Sequence, residues 1–189
     1  VVSDAGMPCI SDPGEDLVRL CAQNGVDVYV VPGPSAAISA LCVSGLNTSR
    51  FSFEGFLSTN KVSRHEHLNQ VKGSQNTLIF YEAPHKLLST LRDMLRTLGD
   101  RKIALCKELT KLHEQVFRTT LSQAVEHYTQ NPPKGEFVLV VEGAAPREEA
   151  MTLDGAAALA REILAGGTKP ADAARQAAAV SGFKKAEIY

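Results

Sequence analysis

Apolar positions change their period several times along this chain, and each change marks an element. Leu17, Val18, Leu20 and Cys21 recur at helical spacing over residues 15–24, and Gly25 is placed to end that helix. Residues 27–31, Asp-Val-Tyr-Val-Val, read as a buried strand; residues 35–44 read as a small-residue helix capped by Ser35 and closing near Gly45. Residues 51–57 predict a strand with Phe51, Phe53 and Leu57 on one side. Residues 59–71 predict a polar helix, with Arg64, His65, Glu66 and His67 facing water. A strand over 77–81 leads into an amphipathic helix over 86–98 that Gly99 terminates. Residues 102–107 form a further strand, and 115–120 alternate as its antiparallel partner would. A helix over 121–130 is stopped by Asn131-Pro132-Pro133. Residues 136–142, Glu-Phe-Val-Leu-Val-Val-Glu, are the most strand-like run and belong at the centre of a sheet.

Strands interleaved with helices predict an α/β fold: an αβα sandwich around a roughly five-stranded mixed sheet with one antiparallel excursion, spanning residues 15–145. Residues 146–150 form a hydrophilic linker. Beyond it, alanine-rich helices over 153–164 and 170–181, broken by Gly166-Gly167, predict a small helical C-terminal domain with the outline of a helix-turn-helix. The chain opens on Val-Val-Ser-Asp without a methionine, so residues 1–14 are expected to be the end of a preceding domain and the chain a fragment.

Composition narrows the class. The 189 residues are 44% hydrophobic, enough for one sizeable core and an appendage. A net charge of −1 carries no global signature of a nucleic-acid binder, so any contact with RNA must be local. Cys9, Cys21, Cys42 and Cys106 match no metal spacing, and three of them fall on predicted core faces; reduced thiols, no metal and a cytoplasmic setting are expected. No apolar run reaches membrane-spanning length.

Two loops concentrate the candidate chemistry. Residues 3–14, Ser-Asp-Ala-Gly-Met-Pro-Cys-Ile-Ser-Asp-Pro-Gly, follow the apolar pair Val1-Val2; Gly6 permits close approach to the main chain, Pro8 and Pro13 fix its path, and Asp4 adds a carboxylate at a strand's end. A plain strand-to-helix connection accounts for this loop equally well. About thirty residues on, Pro32-Gly33-Pro34-Ser35-Ala36 repeats the pattern, and the two would lie side by side if their strands are neighbours. Neither carries the spacing of a phosphate-binding or dinucleotide-binding glycine loop.

Together with Phe53-Glu-Gly-Phe-Leu57, Phe80-Tyr-Glu-Ala-Pro-His85 and Lys107-Glu-Leu-Thr-Lys-Leu-His113, these loops resemble the tetrapyrrole-methylase superfamily and, within it, the ribosomal small-subunit RNA cytidine 2′-O-methyltransferases. The resemblance runs from Val1 to about Gly143. It implies S-adenosylmethionine as methyl donor, a small-subunit ribosomal RNA acceptor, and a homodimer, to which exposed Phe51, Phe53 and Phe56 would contribute. It further implies cofactor contacts at Asp4, Ala5, Gly6, Met7, Ser35, Ala36, Tyr81, Leu109 and Phe137. The sequence departs from that pattern at Met7, where many relatives carry Thr, and at Lys86 and Lys107, where they carry Arg.

A ribose hydroxyl is a weak nucleophile that a general base would help, and Glu54, Glu82 and Glu108 stand near predicted strand ends beside these motifs. Glu82 and Glu108 are the leading candidates; structural carboxylates would look the same. Lys86, Lys107, Lys111 and His113 form a positive cluster suited to RNA phosphate, or to a solvated strand edge. Two other functions stay open: methylation of a corrin or porphyrin ring, and a non-catalytic dimerisation or RNA-binding module. Without the superfamily's first domain, this chain is expected to bind S-adenosylmethionine weakly.

Overall fold

The computed structural model describes residues 1–4, 6–146 and 151–189. They form two compact units, Val1–Ala145 and Pro146–Tyr189.

The first unit is built on a five-stranded sheet in the order β1-β2-β5-β3-β4: β1 Phe51–Phe56, β2 Thr77–Glu82, β3 Lys102–Lys107, β4 Gln115–Thr120 and β5 Phe137–Val141. β5 is the centre, as its unbroken apolar run predicts, and every residue in it is buried. It runs antiparallel to both β2 and β3, and β4 is antiparallel to β3, which leaves β1–β2 as the parallel pair. The sheet is therefore more antiparallel than expected. A continuous apolar run reports burial on both faces, which helices provide here, and says nothing of strand direction.

One face carries α3 (Lys61–Val71), α4 (Pro84–Leu98) and α5 (Leu121–Gln130). Leu68, Leu87, Leu91, Met94 and Leu121 pack there on Leu78, Phe80, Ile103, Leu105 and Leu139, all of them closed to solvent or nearly so. The other face carries α2 (Ala36–Ser44), whose Ala37, Ala40 and Leu41 lie on Ile79, Ala104, Cys106, Val138 and Val140. Small residues let α2 approach the strands closely. Its ends follow their sequence signals: Ser35 Oγ accepts the N–H of Ile38, and Gly45 closes the helix with φ 76°.

Four local expectations are corrected. Residues 27–31 form no strand, and Val28, Tyr29, Val30 and Val31 are all exposed; without a neighbouring strand among the described residues their β-propensity has nothing to pair with. Phe53 and Leu57 lie on opposite faces of the sheet, because a register shift between Phe53 and Gly55, with Gly55 at φ 64°, reverses the alternation. The charges of α3 do not simply face water. Arg64 Nε lies 2.8 Å from the carboxylate of Asp93 on α4, and His67 Nε2 lies 2.9 Å from Glu54 Oε2. Of the four free cysteines, Cys106 alone is buried.

Preceding this layer, α1 (Glu15–Gln23) buries none of its side chains. In the second unit, α6 (Leu153–Ala165), α7 (Pro170–Ser181) and the short α8 (Lys185–Ile188) meet through Ala156, Ala173, Ala174 and Ala177. No helix among the described residues is long and apolar enough to cross a membrane.

Candidate functional site

Two adjoining hollows, of about 450 and about 470 Å³, open where the carboxyl ends of β1, β2 and β3 meet the start of β5. Ligands settle at such strand ends in open α/β sheets. The hollows share Ala36, Phe56, Tyr81, Leu109 and Glu136, and so form two lobes of one cleft.

The glycine- and proline-rich loops make one wall of the first lobe. They touch as predicted, although no strand precedes the second. The Gly33 N–H reaches Met7 Sδ at 3.0 Å, and a Cβ on Gly6, which has φ 78°, would stand 3.2 Å from the Pro34 carbonyl oxygen. Glycine at position 6 thus meets both a backbone and a space requirement.

Tyr81 forms the floor. Its ring is held edge-on by Phe53 at 4.9 Å and Phe56 at 5.5 Å, and its oxygen accepts the N–H of Ala37 at 3.1 Å, from the first turn of α2. Burial pushes the phenol pKa up, against the lowering effect of the Ala37 bond. The phenol is therefore neutral, and the Ser35 side chain is a second hydrogen-bond partner beside it. Buried Cys106 lies in the second lobe, its thiol pKa pushed up to about 11 by burial, so it stays protonated.

Among the residues expected to meet a cofactor, Gly6, Met7, Ser35, Ala36, Tyr81 and Leu109 line the first lobe, and Phe137 lines the second. Asp4 is exposed and lines neither; Ala5 lies outside the described residues. Ile10, Ser11, Asp12, Ser39, Thr110 and Glu136 also line the cleft, beyond the residues expected to meet a cofactor. Ser11 and Asp12 belong to the first loop, and its repeated Ser-Asp was the available signal.

The acidic candidates separate. Glu82 is 3% exposed and lines the second lobe; one oxygen accepts the N–H of Ala83 at 2.9 Å and the other the hydroxyl of Thr90 at 2.5 Å, while Lys86 Nζ stands 3.5 Å away. Glu54 is paired with His67. Glu108 lines neither lobe and ties the end of β3 to the start of β5: its Oε1 accepts the Glu136 N–H at 2.8 Å, and its own N–H reaches the Glu136 carbonyl. A Cβ on Gly135 would fall 2.7 Å from that side chain.

The Glu136 N–H bond, together with Lys111, holds the Glu108 carboxyl below its ordinary pKa. A depressed carboxyl pKa stabilises the fold above the unfolded value and loses that contribution as pH falls through the folded one. Protection of the Glu136 amide, its exchange rate relative to that of an unstructured peptide at the same pH, is therefore expected to be full at neutral pH and to fall below the ordinary glutamate range, and Glu108→Gln should abolish this loss of protection. An unchanged profile in the variant would mean that the clip does not hold this junction.

The positive candidates divide as well. Lys111 lines the first lobe but is bound by two carboxylates, Glu136 at 2.9 Å and Glu108 at 3.2 Å, which raise its pKa. Lys107 is half-buried, His113 is exposed, and Lys86 is held by Glu82. Among the described residues no cluster of three or more His, Cys, Asp or Glu is placed to hold a metal ion.

Cleft and fold together point to a class, and the family model for Tetrapyrrole (Corrin/Porphyrin) Methylases matches residues 1–125: the chain belongs to that family. Within it, the chain is 43% identical over 191 residues to "Ribosomal RNA small subunit methyltransferase I" of Synechocystis sp., covering 100% of this chain and 68% of that protein. It is 48% identical over 143 residues to the protein of the same name from Thermotoga maritima, covering 76% of this chain and 64% of the relative. The chain thus spans about two thirds of these relatives' length. Among solved structures, the methyltransferase CobJ superposes with a TM-score of 0.56 at 20% identity, over 76% of this chain and 64% of that one. Cobalt precorrin-4 methyltransferase gives a TM-score of 0.51 at 16% identity, over 71% and 60%. At such identities the likeness is one of fold.

Proposed function

We infer that this protein transfers a methyl group from S-adenosylmethionine to the ribose 2′-hydroxyl of a cytidine in small-subunit ribosomal RNA. One observation carries the reading: the 43% identity to a small-subunit ribosomal RNA methyltransferase extends over the whole chain, including every element that lines the cleft. CobJ and cobalt precorrin-4 methyltransferase share the fold at less than half that identity.

The cleft fits the donor. S-adenosylmethionine needs an apolar slot for adenine, backbone groups for its polar atoms and little net positive charge near its sulfonium. Phe56, Leu109, Phe137 and Val138 supply apolar walls, and Gly6 and Ala36 leave the main chain open. When bound, the donor supplies an electrophilic methyl group.

The protein's share of the work is alignment, since an in-line displacement gains most from a held geometry. Tyr81 forms the cleft floor, and the paired loops fix the opposite wall. Of the acidic candidates Glu82 is the one that lines the cleft, and it is the group we assign to receive the ribose proton; Glu108 serves the junction beneath. Lys107 and His113 are assigned to RNA phosphate, and Lys86, grouped with them by sequence, stays paired with Glu82. Phe51 and Phe56, 40% and 54% exposed on the edge strand β1, support a homodimer formed along that edge. A ribosomal RNA substrate places the enzyme in the cytoplasm.

The test is methyl transfer by the full-length protein to small subunits from cells that lack it, with the product digested to nucleosides. Label in 2′-O-methylcytidine is expected. Label in a base, or in no nucleoside at all, would reject the reading.

A further inference from the structure

Glu136 occupies an unusual position for a surface glutamate. Its main chain is fixed on both sides by Glu108, at 2.8 and 3.0 Å, yet its side chain is 82% exposed and lines both lobes of the cleft. Its carboxylate has one side-chain partner among the described residues, the ammonium of Lys111.

Charge accounting gives this a meaning. Among the described residues, four charged side chains line the two lobes: Asp12, Glu82 and Glu136 are acidic, and Lys111 is basic. Glu82 is matched by Lys86, and Lys111 is shared between Glu136 and Glu108, whose own carboxylate lines neither lobe. Among the described residues, the cation that lines the lobes is thus held by two anions, and the charge lining them is net negative. A ligand that arrives cationic and leaves neutral is served by it, because a carboxylate at the junction favours the first over the second.

We propose that Glu136 is the carboxylate by which the cleft distinguishes the cationic methyl donor from its neutral thioether product, with Lys111 as its counter-ion until the donor binds. This rests on the S-adenosylmethionine reading above. Sulfonium and thioether carry the same adenosine and the same amino-acid end, so the lost positive charge is the main difference Glu136 can sense. The exchange weakens the hold on spent product and favours its release.

The experiment is calorimetric titration of the full-length protein with S-adenosylmethionine and, separately, S-adenosylhomocysteine. Glu136→Gln is expected to weaken the first about fivefold, the size of one partly solvated charge contact, and to change the second less than twofold. Lys111→Met is expected to keep or raise affinity for the donor. Both variants alter exposed side chains, and unchanged thermal midpoints confirm that they fold. Equal weakening of both ligands by Glu136→Gln, or of neither, overturns the proposal; so does a selective loss in Asp12→Asn that Glu136→Gln does not show. If the wild-type protein binds neither ligand, the cofactor reading itself fails and the proposal falls with it.

Discussion

Replacing Asp93 by alanine is expected to destabilise the Val1–Ala145 unit by about 3 kcal/mol, the lower end of what breaking a buried ion pair costs. Asp93 is 4% exposed, and its carboxylate meets Arg64 Nη2 at 2.8 Å, Arg96 Nη2 at 3.1 Å and His65 Nε2 at 3.6 Å. Removing it leaves the Arg64 guanidinium, whose side chain is 11% exposed, facing a cavity in place of an anion. Arg64 keeps the carbonyls of Ser58 and Thr59, which is why the larger costs seen for isolated buried charges do not apply. For a chain of this size the loss corresponds to a fall of roughly 6–12 °C in thermal midpoint. Arg96→Ala should cost far less, because that side chain is 60% exposed. A shift under about 2 °C for Asp93→Ala would show that these charges behave as solvated surface groups.

That solvated surface is what residues 59–71 suggest when read alone. Arg64, His65 and His67 sit on a segment with one apolar position in the core, Leu68, and their partners Asp93 and Glu54 lie 29 and 13 residues away in sequence. Periodicity reports which face is apolar; it does not report which polar groups meet across two helices. The same limit explains residues 27–31, where β-propensity is intrinsic but pairing needs a neighbour, and Leu57, which the shift at Gly55 carries to the other face. Signals complete within one segment were read correctly: the unbroken run of β5, the Ser35 cap and Gly45 end of α2, and the alternation of β4 against β3. The loops that bound the cleft were legible because glycine and proline mark them locally. Glu136 was not, since its significance lies in contacts with Glu108 and Lys111, more than twenty residues earlier.

Substituting Ala36 by leucine is the second change with a large expected effect, this time on binding. Ala36 is the first residue of α2, is exposed, and lines both lobes, so a larger side chain there projects into the cleft and not into the core. Leucine is a good helix former, and the Ser35 cap is untouched, so the thermal midpoint should hold within a degree or two. Affinity for S-adenosylmethionine should fall at least about a hundredfold, because three added carbons where the lobes join deny the ligand that volume; such a loss is about 2.7 kcal/mol. A change smaller than about threefold would place the ligand away from the start of α2.

The central claim is that the methyl donor lies in the cleft between the two loops and the strand ends. A crystal structure of the full-length protein with S-adenosylhomocysteine tests it most directly. Ligand density is expected against Gly6, Ser35, Ala36, Tyr81 and Leu109, with the adenine on the apolar wall of Phe56 and Phe137. Density bound elsewhere on the molecule, with this cleft open at saturating ligand, would contradict the account.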